Sequence, residues 1–108
     1  MLSVKVVKLW SGVVLKQMIK EIYLATTKGC EACKIMENIL RKVHKQNLYT
    51  FSVHVLDFSE LPEFIKINVP LTDFPVTIFV ENNVIKYHFT GTTSAKNLQS
   101  IINDIKFN

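Results

Sequence analysis

No stretch of this 108-residue chain approaches the roughly 20 consecutive apolar residues that a membrane-spanning helix needs, and Lys5, Lys8, Lys16 and Lys20 interrupt the apolar runs near its start. The same lysines leave no continuous apolar core for a secretory signal, so a reducing cytoplasm is the expected compartment and no membrane partner is expected. The formal charge of +4 implies a mild preference for acidic partners, but the lysines are scattered and no basic cluster alternates with aromatics, so nucleic acid is not an expected partner. Repeats, linkers and low-complexity segments are missing too. His44, His54 and His88 have no paired spacing with one another or with the cysteines, so a zinc site would lack two ligands and no metal is expected. The remaining composition, 48% hydrophobic and 20% charged, is that of a globular chain. One domain over residues 1–108, monomeric and stable without a crosslink, is the expectation.

Cysteine is scarce, and its placement is informative. Both cysteines fall in Gly29-Cys30-Glu31-Ala32-Cys33-Lys34, between an apolar β-branched run (Ile22 to Thr26) and an amphipathic one. Cysteines at i and i+3 lie one helical turn apart, close enough to bond reversibly, where a strand would hand over to a helix. Unpaired N–H groups and the macrodipole at a helix N-terminus favour thiolate over thiol, which makes Cys30 the candidate nucleophile and Cys33 the resolving thiol. A structural disulfide and half of a metal site are the competing readings.

Val4 to Trp10 reads as a strand, with Trp10 as a core or edge aromatic. The next ten residues are ambiguous: Val14 with Met18 and Leu15 with Ile19 give i, i+4 pairs that favour a short helix, while Ser11-Gly12 could turn a hairpin into Val13 to Lys16. Glu21 to Thr26 is a buried strand. A helix of about four turns follows the cysteines, with Ile35, Ile39 and Val43 as one apolar stripe and Met36 and Leu40 as the next. His44 reads as a packing or surface residue. Phe51 to Leu56 is a strand closed by Asp57, and Ser59 caps a short helix that tolerates Pro62 in its first turn. Pro75 opens a strand to Val80, Glu81-Asn82-Asn83 turns it, and Val84 to Phe89 returns antiparallel. Ser94 caps a last helix with Leu98, Ile101, Ile102 and Ile105 inward. The order β, α, β, α, β, α, β, β, α implies a sheet covered by helices on both faces.

These features together resemble the thioredoxin-like superfamily over nearly the whole chain. A CxxC pair opening a helix, here Cys30 and Cys33, is followed by a strand-opening proline, here Pro75, and by a glycine after the last strand, here Gly91. The resemblance implies a three-layer α/β/α fold with a central mixed sheet of four to five strands. It also implies that Pro75 is cis and faces the dithiol, and that Phe74 presents its backbone to a substrate and partly roofs Cys30. Gly29, Glu31, Ala32, Phe74, Pro75 and Gly91 are thereby the expected substrate-binding residues.

The departures from thioredoxin proper also bear on mechanism. Gly29 stands where a tryptophan is usual, and Glu31-Ala32 where Gly-Pro is usual. The family's buried acid would fall at Leu24 and its lysine partner at about Val55, both apolar here. Losing both leaves no unpaired buried charge, but it removes the usual proton acceptor for Cys33. Water, the departing thiolate or a substrate group must then take the proton, unless Glu37 or Asp57 does.

Glutaredoxins also lack that acid and are the runner-up class. Lys28 lies near their glutathione-binding basic residue, yet it reads more readily as a solvated loop lysine. Their Thr-Val-Pro is Asp73-Phe74-Pro75 here, and their Gly-Gly is Gly91-Thr92, so a glutathione site is half supported. The implied function is reduction of protein disulfides by the Cys30/Cys33 dithiol, with no bound cofactor and with electrons from a thioredoxin reductase or glutathione. A thioredoxin-fold binding subunit whose cysteines stay reduced is the non-enzymatic alternative.

Overall fold

The structure, a computed structural model, describes residues 19–108 together with the backbone of two short paired strands before them. Those are β1 (Val6–Lys8) and β2 (Val14–Lys16), antiparallel with Val7 opposite Leu15. The helix expected over residues 11–20 is therefore not formed at Val14–Lys16, and the hairpin alternative describes this segment. A β-branched valine and a partner strand of the same kind outweigh two i, i+4 pairs. Trp10, the Ser11-Gly12 turn and Met18 lie outside the described residues.

The main sheet has four strands in the order β4-β3-β5-β6: β3 (Lys20–Thr26), β4 (Ser52–Asp57), β5 (Val76–Glu81) and β6 (Val84–Thr90). β3 runs parallel to β4 and antiparallel to β5, and β5 is antiparallel to β6, so the sheet is mixed. The central strands carry the near-continuous apolar runs expected of elements covered on both faces. Asn82 and Asn83 turn β5 into β6 with φ of 52° and 66°, a conformation asparagine tolerates well. One extra residue on β6, Lys86, is bulged out between the Val80–Ile85 and Phe79–Tyr87 pairs. The bulge reverses the alternation, so that Ile85 packs on one face of the sheet and Phe89 on the other.

Helices α1 (Glu31–Gln46) and α3 (Ala95–Asp104) cover one face. Met36, Leu40 and Val43 of α1 and Leu98 and Ile102 of α3 close there over Ile22, Leu24 and Phe79. The opposite face, with Tyr23, Ala25, Ile78 and Val80, is covered by Leu61, Ile65 and Val69 from the stretch around the one-turn helix α2 (Glu63–Lys66). Three layers result, as expected.

Two local expectations need correction. Ile35 is 54% exposed, because the buried stripe of α1 runs through Cys33, Met36, Leu40 and Val43, and at 100° per residue Ile35 lies about 120° from its centre. Ser59 does not cap α2. Asp57 instead accepts from the Ser59 N–H at 3.1 Å and caps a 3-10 turn, Phe58–Glu60, while Pro62 is the residue before α2. The proline holds Leu61 extended (φ −68°, ψ 153°), which separates the two turns.

Candidate active site

The parallel strands β3 and β4 end together at the pair Thr26–Asp57, and Thr26 Oγ1 donates to the Leu56 carbonyl at 3.1 Å, tying the two ends. From there the loop runs through Gly29, whose φ of +70° favours glycine and whose missing Cβ would meet nothing within 4 Å. The glycine thus serves the turn that aims Cys30 at the start of α1. Cys30 is the N-cap, in extended conformation, and its Sγ accepts the Cys33 N–H at 3.0 Å. Cys30 and Cys33 form a disulfide with their Cα atoms 5.2 Å apart. Cys30 is half-buried and Cys33 only 4% exposed, so Cys30 is the more exposed residue of the pair.

A cleft of about 190 Å³ opens against this pair, lined by Thr26, Gly29, both cysteines, Glu37 and Val55 among others. Its charged residues, Lys34 and Glu37, both come from α1. The Lys34 amine lies 3.7 Å from Glu31 in a pair exposed at 76% and 84%, a geometry in which solvent screens most of the attraction. Glu37 is bound more firmly: Arg41 Nη2 and Nε donate to its Oε2 at 2.7 and 3.0 Å.

Glu31, Ala32, Phe74, Pro75 and Gly91 lie outside the cleft lining. Pro75 nevertheless sits at the same end of the sheet, because it precedes the Val76 that pairs with Ala25. The Phe74–Pro75 peptide is cis. The Gly91 N–H donates to the Pro75 carbonyl at 2.8 Å, so Gly91, with φ of +86° and open space around it, fastens the strand that carries Pro75. Phe74 packs its ring 5.2 Å from that of Phe58, which follows directly after β4 and is 37% exposed. Phe58 was not singled out in the sequence. Its one signal there is that an aromatic directly follows Asp57, at the strand end that also bears the cysteines.

The apolar replacements expected at Leu24 and Val55 stand opposite each other in the β3–β4 pair, Leu24 fully buried. Asp57, the nearest strand-end acid, has its carboxyl held below the usual carboxylate range, chiefly by hydrogen bonds from the Ser59 hydroxyl and N–H, with Lys28 adding to the effect. Lys28 itself is exposed. Among the described residues no group of His, Cys, Asp or Glu could hold a metal ion, and no helix is long and apolar enough to cross a membrane.

No protein-family model matches the chain, and no curated protein matches it in sequence. Solved structures do. Thioredoxin-2, a component of the malaria parasite protein secretion machinery, is 17% identical with a TM-score of 0.68, over 85% of this chain and 88% of its own. Chloroplastic thioredoxin z is 15% identical with a TM-score of 0.66, covering 83% and 80%. A thioredoxin-like protein from Clostridium perfringens is 23% identical with a TM-score of 0.66, covering 83% and 73%. The chain has a thioredoxin-like α/β fold carrying a CxxC-spaced cysteine pair.

Proposed function

We propose that the protein is a thiol-disulfide oxidoreductase that reduces protein disulfides through Cys30 and Cys33. The observation that carries this reading is the position of Cys30: its sulfur caps α1 and receives the Cys33 N–H, and the residue is the more exposed of the pair. In the reduced protein the same N–H and the helix dipole stabilise a thiolate at Cys30, the form that attacks disulfides. Cys30 bonds to one substrate sulfur and expels the other as a thiolate. Cys33 then attacks Cys30, restoring the disulfide seen here and releasing the second substrate thiol. A reductase or glutathione returns two electrons to the pair.

Phe74, Pro75 and the neighbouring Phe58 form the surface on which a substrate chain rests beside the dithiol. Disulfide-containing proteins with apolar residues near the reacting cysteine are the substrate class this surface suits. The test is a Cys33→Ser variant, which retains the attacking thiol and lacks the resolving one. It should accumulate mixed disulfides with a protein substrate through Cys30, and the absence of any captured substrate would overturn the assignment.

A further inference from the structure

Resolution requires Cys33 to lose a proton, yet the strand residues beneath it, Leu24 and Val55, carry none of the chemistry to accept one. The cleft wall supplies a different candidate. Glu37 lies one turn beyond Cys33 on α1, about 40° round the helix axis, and helical side chains lean back over the preceding turn. Glu37 and Cys33 both line the same cleft. Arg41 binds Glu37 through Oε2 only, which leaves Oε1 without a hydrogen-bond partner among the described residues. Glu37 is one-third exposed, so water reaches it, and the cleft they share is large enough to hold several waters.

Other bases are worse placed. Asp57 is not part of the cleft lining, and its carboxylate is turned to the Ser59 N–H and hydroxyl in the following turn. His54 bonds Glu21 near the opposite end of β3. Of the other residues of the cleft, Thr26, Thr27, Gly29 and Val55 carry no charge, and among the described residues Lys34 is the one cation of the lining; Arg41, which binds Glu37, lies outside it.

We infer that Glu37 is the proton acceptor for Cys33 in the resolving step, taking over from helix α1 the role that a strand carboxylate would otherwise fill. The inference rests on the oxidoreductase reading above. The Cys33 S–H proton passes, directly or through one water, to a Glu37 oxygen. The Cys33 thiolate attacks Cys30 Sγ, the Cys30–substrate S–S bond breaks, and its electron pair leaves on the substrate sulfur, which collects the proton from Glu37. Atoms and charge balance with no added reactant. Arg41 fixes the carboxylate without occupying the oxygen that accepts.

The experiment is stopped-flow single turnover of the reduced protein with a dye-labelled peptide disulfide, following release of the second thiol between about pH 6 and pH 9, the range that spans ordinary thiol ionisation. The wild type should resolve at a nearly pH-independent rate around neutrality. Glu37→Gln should slow resolution at least tenfold near neutral pH and make it rise nearly tenfold per pH unit, the dependence of a step in which only a pre-formed thiolate reacts. Glu37→Asp should restore the flat profile in part. Arg41→Met removes the same ion pair while keeping the carboxylate, and should keep the wild-type profile. A Glu37→Gln profile identical to wild type, or an Arg41→Met profile as steep as that of Glu37→Gln, would overturn the inference while leaving Cys30 and Cys33 as the redox pair. Failure of the wild type to open the peptide disulfide at all would instead overturn the oxidoreductase reading, and the inference with it.

Discussion

Leu24 lies opposite Val55 across the parallel pair of β3 and β4, fully buried beneath the helix that carries Cys33. An acid placed at Leu24 alone would have no basic partner at Val55 and no water around it. Leu24→Asp is therefore expected to destabilise the fold by about 3 kcal/mol or more. The cost should also grow with pH. Burial raises the folded-state pKa of the new carboxyl, so the unfolded chain releases its proton first, and stability falls as pH rises from about 4. Urea unfolding at about pH 4 and about pH 7 checks both statements, and equal stability loss at the two values would show that the site is not dry.

The Phe58–Phe74 contact makes a second prediction, about substrate choice. Phe58→Ala removes a ring that belongs to neither core cluster and touches one only through Phe74, so the fold should be retained with a small loss of stability. Turnover of protein disulfides should drop about fivefold in kcat/KM, equivalent to about 1 kcal/mol of apolar contact, while reaction with a small water-soluble disulfide stays unchanged. An equal drop for both substrates would place Phe58 in the chemistry of the dithiol rather than in docking.

Much of this arrangement was legible in the sequence, and the reasons differ element by element. The stretch from β3 into α1 declares itself through a β-branched run, a glycine turn and an amphipathic period, and Asn82-Asn83 and Ser94 mark turn and cap by their local chemistry. Ambiguity entered where local signals were short. Val14 to Lys16 satisfies both a helical and a strand pattern over so few residues that pairing with Val6–Lys8 decides it. Asp57 and Ser59 are both competent caps, and Pro62 settles between them by holding Leu61 extended. Glu37 is legible as a candidate from its i, i+4 spacing to Cys33, but the contact of Phe58 with Phe74 depends on how loop and strand end converge, which no single-stretch pattern encodes.

Tyr23 provides a pH test of the sheet's other face. It is 8% exposed, stacks on His54 with ring centroids 4.6 Å apart, and places its hydroxyl 3.4 Å from Glu21 Oε2. Burial first, and the Glu21 carboxylate second, push its pKa up from 10.0 to about 12. The raised folded-state value means that the stability linked to this group is fully present below pH 10.0 and lost as pH rises through about 12, because the unfolded chain ionises first. In a phenolate absorbance titration one tyrosine should ionise only near pH 12 in the folded protein, and Tyr23→Phe should delete that step. Persistence of the late step in the variant would assign it to another tyrosine.

The central claim is that Cys30 and Cys33 together reduce protein disulfides, and the most direct measurement is turbidity-monitored reduction of insulin by dithiothreitol with and without the protein. The account predicts clear acceleration by the wild type and none by Cys30→Ser at the same concentration. A wild-type rate no faster than dithiothreitol alone, with the Cys30–Cys33 disulfide confirmed to be reduced in the assay, would contradict it.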